Sequence, residues 1–146
     1  MHLIRQRSSE AETQERLRAF PDLCRRAGLK VTQQRLAVYG MLVSTDCHPT
    51  PEDVYSALRA KLPSLSLGTV YKTLDQFQRH GFLRKVSTEG QAARYDANVG
   101  PHHHLVCSGC GTIQDVQVQE DAMGQPGEAL GAGQSGGFRI THTDIL

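Results

Sequence analysis

One short segment of this 146-residue chain carries most of its metal-binding side chains. Residues 94–115 read RYDANVGPHHHLVCSGCGTIQD and contain two chemically different kinds of ligand. Imidazoles and carboxylates suit iron, manganese or zinc, whereas two cysteines separated by two residues favour zinc or an iron–sulfur cluster. The ligand types therefore predict two metal sites, one for structure and one for sensing or chemistry.

The candidate nitrogen and oxygen ligands come from both halves of the chain. They are His48, Asp96, His102, His104 and Asp115. His102 and His104 lie two positions apart in an expected strand, so both rings should project from one face, with His103 on the other as a solvated or supporting residue. Three imidazoles and two carboxylates fit Fe(II) or Mn(II) well and Zn(II) acceptably. Taken alone, His48 is better explained as a capping or surface histidine.

The sulfur ligands form an incomplete set. Cys107 and Cys110, in the sequence CSGCG, have the spacing and the following glycine of one half of a zinc knuckle, in which two thiolates converge on one metal. A tetrahedral structural zinc site needs four ligands, and Cys24 and Cys47 are expected in the other half of the chain. The sequence therefore predicts a structural zinc site with only two identifiable ligands.

The net charge of +1 conceals an uneven distribution. Residues 1–90 carry 14 lysines and arginines against 9 acidic residues, whereas residues 91–146 carry 2 against 6. A basic half joined to an acidic, ligand-rich half is typical of a nucleic-acid binder coupled to a metal module. Chance clustering is the alternative, because an excess of five charges is not extreme.

The sequence contains no run of eighteen apolar residues, which argues against a transmembrane span. The first residues lack the apolar core of a secretion signal, so a cytoplasmic protein is expected. In that compartment the four cysteines are expected to be metal ligands or thiols rather than disulfides.

Capping residues and apolar spacing predict four helices followed by a hairpin. The helices are expected at roughly 12–27, from a Thr32 cap to Ser44, from a Thr50 cap towards Pro63, and from a Ser66 cap to residue 80. Two short runs around Glu89 and Gly90 then predict the hairpin. This order fits a winged helix-turn-helix, and the pattern alone fits an ordinary small α+β domain equally well.

The two ends of the chain are less well defined in the sequence. Residues 1–9 are expected to form a disordered arm. Residues 119–137 are rich in glycine and predict at most a short helix, and the final residues, FRITHTDIL, alternate like a strand. About fifty residues are too few to bury a core of their own, so this half is expected to need a second copy of the chain.

Several stretches, taken in order, resemble the ferric uptake regulator family of metal-dependent repressors. They are AGLKVTQQRLAVY, HPTPEDVY, SLGTVYKTL, GFLRKV, RYD, HHHLVCSGCGTIQD and GFRITH, and the similarity covers about residues 15–146. The resemblance implies an α+β protein with an N-terminal winged helix-turn-helix domain over residues 10–96. A hinge would join it to a small α/β dimerisation domain over residues 97–146, and the protein would act as a homodimer on double-stranded operator DNA.

The resemblance also implies roles for individual residues. Lys30 would reach the minor groove or the DNA backbone, and the helix carrying Thr69, Tyr71 and Lys72 would enter the major groove. The regulatory Fe(II) or Mn(II) site would consist of His48, Asp96, His102, His104 and Asp115.

Asp96 makes the pattern resemble the peroxide-sensing branch of the family, since iron-sensing members usually carry Glu at this position. In that branch, hydrogen peroxide oxidises a histidine that ligates Fe(II), and loss of the ligand releases the operator. The expected targets are His48 and His102. Mn(II) would support DNA binding without this reactivity. Apart from peroxide as the signal, no small-molecule substrate is expected. The alternative is a sensor of iron or manganese availability with the same fold.

One departure concerns the structural zinc site. The family commonly places a second Cys-x-x-Cys after the final strand, and this sequence reaches Leu146 before such a pair. The second domain is therefore expected to be truncated, or its zinc site to be absent or borrowed. His142 lies near a position that contributes to an additional metal site in the family, and neither it nor His103 is assigned a role.

Two other classes of function also combine histidine with a Cys-x-x-Cys pair. A zinc hydrolase of the nucleobase-deaminase type needs His-x-Glu and a proline before the first cysteine. Glu52 instead lies four residues after His48, and valine precedes Cys107, so this enzyme class is a remote alternative. A zinc-knuckle interaction module without DNA binding is the third possibility, and it would show no salt-dependent binding to an operator.

Overall fold

The computed structural model describes residues 4–5, 9–45, 47–87, 90–100, 103–107, 109–111 and 113–117. The chain divides into two compact units, which we call the helical unit (residues 8–100) and the sheet unit (residues 1–7 with 101–146). Among the described residues, no helix combines the length and apolar character needed to cross a membrane. The regions 119–137 and 138–146, for which a helix and a strand were predicted, lie outside the described residues.

The described chain contains four helices and five strands. The helices are α1 (Glu10–Arg26), α2 (Gln33–Ser44), α3 (Pro51–Leu58) and α4 (Leu67–Arg79). The strands are β1 (Ile4–Arg5), β2 (Arg84–Val86), β3 (Arg94–Asp96), β4 (His103–Val106) and β5 (Ile113–Gln117).

Each helix begins at a polar residue whose side chain caps it. Ser9, Thr32, Thr50 and Ser66 each accept a hydrogen bond from the backbone N–H three residues later. Such caps satisfy donors that have no partner inside the first turn, and each contributes about 1 kcal/mol. The caps predicted at the last three of these positions are confirmed.

Two helix boundaries differ from the prediction. Helix α1 begins at Glu10 rather than near residue 12, because the Glu12 carboxylate also accepts the Ser9 N–H and completes a capping box. Helix α3 ends at Leu58, well before Pro63. There the Lys61 N–H donates to the Leu58 carbonyl three residues back, which tightens the chain into a turn.

The helical unit ends in the predicted hairpin. Strands β2 and β3 pair antiparallel, with Arg84 opposite Asp96 and Val86 opposite Arg94. Gly90, in the connection, has a φ of 73°, a conformation that glycine adopts without steric cost. Helices followed by this hairpin form a winged helix-turn-helix unit, and the α+β prediction is confirmed.

The sheet unit contains a three-stranded antiparallel sheet in the order β1-β5-β4. The prediction of a disordered arm over residues 1–9 is wrong for Ile4 and Arg5, which pair with Gln117 and Val116 of β5. It is also wrong for Ser9, the cap of α1. A strand of two residues leaves almost no local pattern, because its hydrogen bonds go to residues more than a hundred positions away.

Phe20 lies at the centre of the core of the helical unit. Its ring is fully buried and stacks on Tyr39 at 3.9 Å between centroids. It also meets the edges of Phe77 at 5.3 Å and Phe82 at 5.8 Å. Aromatic pairs in these geometries stabilise a core beyond their buried area. Phe20 thus joins α1, α2 and α4 to the segment that leads into the hairpin.

Replacing Phe20 with Ala should destabilise the helical unit by about 3–5 kcal/mol, because the change removes a buried ring and leaves a cavity among three others. Urea denaturation followed by circular dichroism would measure the effect. The matched control is Gln78→Ala, on the exposed side of α4, which should change stability by less than about 0.5 kcal/mol. An equal effect of the two substitutions would contradict the assigned core.

Candidate metal centre and nucleic-acid interface

In the helical unit, His48 and Asp96 form a buried pair of metal-ligand type. The distance from His48 Nε2 to Asp96 Oδ2 is 3.4 Å, and the two side chains are 2% and 7% exposed. The other carboxylate oxygen of Asp96 accepts the Asn98 N–H at 2.8 Å, which fixes the orientation of the carboxylate.

Two hydrogen bonds from β3 hold the loop that carries His48. The Tyr95 N–H donates to the Pro49 carbonyl at 3.0 Å, and the Arg94 guanidinium donates to the His48 carbonyl at 3.0 Å. These bonds bring the loop before α3 against the end of the hairpin. The burial of His48 contradicts the simple alternative of a surface histidine.

The residues after Asp96 are held by arginines from two other elements. Arg16 of α1 donates to the Ala97 carbonyl, and Arg84 of β2 donates to the Val99 carbonyl at 2.7 Å. The compact helical unit extends to Gly100, four residues beyond the predicted boundary at 96. These arginines explain why the chain stays with the helical unit after its last strand.

In the sheet unit, His104 and Asp115 form a second pair of the same type. The two residues lie directly opposite each other on β4 and β5, so their side chains share a face of the sheet. The distance from His104 Nε2 to Asp115 Oδ1 is 3.2 Å, and the side chains are 23% and 14% exposed. The predicted placement of both residues on neighbouring strands is confirmed.

The separation within each pair fits two adjacent ligands of a metal ion. With bonds of about 2.1 Å, adjacent ligands lie about 3.0 Å apart around an octahedral ion and about 3.4 Å apart around a tetrahedral one. Each pair supplies one imidazole nitrogen and one carboxylate oxygen, the donors that suit Fe(II), Mn(II) and Zn(II). His102, the fifth predicted ligand, lies outside the described residues, and for His103 only its place in β4 is described.

The two cysteines of the sulfur half-site lie in a turn that follows β4. The Gly111 N–H donates to the Cys107 carbonyl at 2.8 Å, and Gly111 has a φ of 74°. Cys107 is half-buried and Cys110 is exposed, and neither forms a disulfide. The positive φ of Gly111 lets the chain reverse after Cys110. The zinc half-site at Cys107 and Cys110 stays a prediction.

The other two cysteines belong to the helical unit. Cys24 is fully buried in its core and Cys47 is exposed. Burial raises the pKa of the Cys24 thiol, opposed by the nearby charges of Arg35 and Arg25. A buried, protonated thiol is a poor metal ligand, which agrees with the prediction that Cys24 takes no part in the zinc site.

The residues expected to contact DNA lie on the surface of the helical unit. Lys30 and Lys72 are exposed, Tyr71 is 46% exposed, and Thr69 is half-buried beside the Ser66 cap. All except Lys30 belong to α4, which follows α3 as the second helix of a helix-turn-helix motif. This position is the one that places a helix in the major groove.

Two residues outside the predicted interface contact these elements. Arg35 of α2 donates to the Lys30 carbonyl at 2.6 Å and to Gln76 of α4 at 2.9 Å. Glu52 of α3 accepts a hydrogen bond from the Tyr71 hydroxyl at 2.6 Å. In the sequence Glu52 appears only as an acidic residue in the first turn of a helix, because nothing local indicates a partner nineteen positions away.

The winged-helix unit and the His–carboxylate pairs define a metal-binding winged-helix protein. The model of the ferric uptake regulator family matches residues 26–142, and the chain belongs to that family. The resemblance inferred from the sequence motifs is therefore confirmed.

Relatives include both peroxide and iron regulators. The peroxide-responsive repressor PerR of Staphylococcus epidermidis is 36% identical over 96 residues, which are 66% of this chain and 64% of that protein. The match thus spans slightly less than two thirds of the relative.

Among solved structures, the ferric uptake regulator of Pseudomonas aeruginosa with manganese has a TM-score of 0.57 and 36% identity, covering 64% of this chain and 72% of that one. The Campylobacter jejuni peroxide stress regulator has a TM-score of 0.54 and 32% identity, covering 69% and 71% of the two chains.

The different environments of Cys24 and Cys47 predict different reactivity towards iodoacetamide. Cys47 should be alkylated in the folded protein. Cys24 should react at least about a hundredfold more slowly, because its thiol must first be exposed by opening of the core. Peptide mass spectrometry over a time course would measure both rates. In the Cys47→Ser control the rate at Cys24 should not change; rapid alkylation of Cys24 would refute its burial.

Proposed function

We propose that this protein is a metal-dependent DNA-binding transcriptional repressor that senses hydrogen peroxide. The observation that carries the proposal is the buried His48–Asp96 pair, which joins the end of the winged hairpin to the loop before α3. Metal binding to these two side chains would alter the packing of elements on either side of the helix-turn-helix. Repressor function, a homodimeric state and operator DNA as the partner are further supported by the family and by the named relatives.

The regulatory ion is held, in this proposal, by His48, Asp96, His102, His104 and Asp115. The support is that both described pairs offer the same donor chemistry at ligand spacing. A single ion bound by His48 and Asp96 of one domain, and by residues 102, 104 and 115 of the other, would restrain the hinge between the domains. Because metal would then bind one arrangement better than others, it would shift the population towards the form that binds DNA. Zn(II) at Cys107 and Cys110, with further ligands, would stabilise the dimerisation domain.

Peroxide sensing follows from the identity of the ligands. Fe(II) held by these ligands would activate hydrogen peroxide beside the imidazoles. One oxygen atom of the peroxide would then be added to an imidazole carbon of His48 or His102, the hydrogen displaced from that carbon would pass to a ring nitrogen, and the other oxygen atom would leave as water. The ring would supply the two electrons that reduce the peroxide. The modified ring is a weaker ligand, so metal affinity and operator affinity both fall. The protein would act as a regulator rather than an enzyme, in the cytoplasm where the operator is found.

Mn(II) titration can test whether the two His–carboxylate pairs share one ion. Mn(II) is suitable because it prefers nitrogen and oxygen ligands over thiolates. We expect one Mn(II) per chain, and His48→Ala and His104→Ala should each weaken its binding by about tenfold or more. Isothermal titration calorimetry would give both quantities. Binding of two independent ions per chain, each lost by only one of the substitutions, would contradict a shared site. Cys47→Ala is the control for a substitution next to His48.

A gel-shift assay combined with peptide mass spectrometry tests peroxide sensing. The protein, loaded with Fe(II) or Mn(II), is bound to a palindromic duplex and exposed to peroxide. We expect release from the Fe(II) form only, together with one added oxygen on His48 or His102. The Asp96→Glu variant should keep metal-dependent binding but show lower peroxide sensitivity. Absence of metal-dependent binding would refute the repressor function itself.

A sensor of iron or manganese availability is the second candidate. It is favoured by the similarity to the Pseudomonas aeruginosa regulator, whose structure was solved with manganese. The same experiment separates the two functions. An availability sensor would release DNA when a chelator removes the metal, and its histidines would remain unmodified after peroxide treatment.

A further inference from the structure

A carboxylate lies where a DNA-binding surface would be expected to be basic. Glu52, in the first turn of α3, accepts a hydrogen bond from the hydroxyl of Tyr71 on α4. The oxygen–oxygen distance of 2.6 Å is that of a strong, charge-assisted O–H···O⁻ bond. The contact joins the two helices of the helix-turn-helix through a residue expected to meet bases.

The contact restricts what Tyr71 can offer to DNA. A tyrosine hydroxyl has one proton to donate, and here the proton is directed at Glu52. Tyr71 is nevertheless 46% exposed, so the carbon surface of its ring remains accessible. Ring carbons contact the C5 methyl group of thymine favourably, whereas a donated proton would suit O6 or N7 of guanine, N7 of adenine, or O4 of thymine.

The negative charge of Glu52 should also lower the affinity for DNA, so its position on this surface calls for an explanation. A negative charge near the phosphates opposes binding to every DNA sequence equally. A residue that lowers non-specific affinity while directing a neighbouring side chain increases discrimination between sequences. This combination distinguishes Glu52 from an acidic residue that serves only the helix dipole.

We propose that Glu52 is a specificity-determining positioning residue, which holds the Tyr71 hydroxyl so that the tyrosine presents its ring, and not its proton, to the base edges. The proposal rests on the DNA-binding function proposed above. Glu52 touches Tyr71 rather than the reacting or recognised groups, so its effect on recognition passes through the tyrosine.

The direction of the pKa changes agrees with the contact. The hydrogen bond to Glu52 raises the pKa of Tyr71, and the hydrogen bond from Tyr71 lowers the pKa of Glu52. The hydrogen bond stabilises the protonated phenol and the ionised carboxylate together, and therefore Glu52→Gln should lower the Tyr71 pKa. An NMR titration of labelled tyrosine measures this without DNA, with Tyr71→Phe to assign the signal. An unchanged pKa would show that the contact does not exist in solution.

The decisive experiment is a double-mutant cycle on the Mn(II)-loaded full chain, using Glu52→Gln, Tyr71→Phe and the double variant. The affinity of each variant is measured for a palindromic duplex that the wild-type protein binds and for a duplex of unrelated sequence. Glu52→Gln should reduce the ratio of specific to non-specific affinity by about three- to tenfold. It should also raise affinity for the unrelated duplex. In the Tyr71→Phe background, adding Glu52→Gln should not reduce this ratio further, because the hydrogen bond between the two side chains is already absent.

Replacing single thymines of the palindrome with uracil tests which part of Tyr71 faces the base. Loss of one methyl contact should weaken wild-type binding by about fourfold at the position that Tyr71 meets. Tyr71→Phe should keep this sensitivity, since it keeps the ring. Glu52→Gln should reduce it, since the hydroxyl is then able to turn towards the DNA. No sensitive position in the wild type would refute the orientation proposed for the ring.

Asp75→Asn is the matched control for charge. Asp75 is also an exposed carboxylate, but it lies on α4 and pairs with Arg79 rather than with Tyr71. Its neutralisation should leave the ratio of affinities unchanged. An equal loss of ratio by Asp75→Asn, or an additive double-mutant cycle, would overturn the role of Glu52 while leaving the repressor function intact. If the wild type shows no metal-dependent binding, the proposed function fails and this inference fails with it.

Discussion

The hydrogen bond from the Tyr95 N–H to the Pro49 carbonyl is the interaction on which the organisation of the helical unit depends. It joins strand β3, the second strand of the wing, to the loop that leads into α3. The Arg94 side chain strengthens the same connection through the His48 carbonyl. The connection brings His48, in the loop before α3, next to Asp96, the last residue of the β2–β3 hairpin. With it, both side chains are buried within 3.4 Å of each other.

The buried pair shows how the proposed metal site would act on the winged-helix unit. Burying an imidazole and a carboxylate costs free energy unless both have hydrogen-bond, ionic or metal partners. The free energy of such a pair therefore depends strongly on the group that binds it. His48 lies in the loop before α3 and Asp96 ends the second strand of the hairpin, so an ion held between them, as proposed, would restrain both. The His104–Asp115 pair has the same chemistry but a different origin, since the register of an antiparallel ladder sets it directly.

The helix-turn-helix is held in position by polar contacts as well as by its aromatic core. Phe20 and its neighbours fix the packing of α1, α2 and α4, whereas Arg35 and Glu52 act at the surface. Arg35 connects the Lys30 turn to α4, and Glu52 connects α3 to α4. Exposed contacts of this kind contribute little to stability but determine the orientation of the side chains they hold.

The sequence by itself determined the features that depend on neighbouring residues. Helix starts follow from caps such as Thr32, Thr50 and Ser66, because a cap acts over three positions. The hairpin and the ligand types of residues 94–115 were also predictable, and the ordered family motifs indicated the fold. The family resemblance already assigned His48 and Asp96 to one site, but only the tertiary structure decided their contact. It alone also decided the pairing of Glu52 with Tyr71, of Arg35 with Gln76, and of the strand at Ile4 and Arg5 with β5. The reason is physical, since these contacts exist only after the core and the sheet have brought separate segments together.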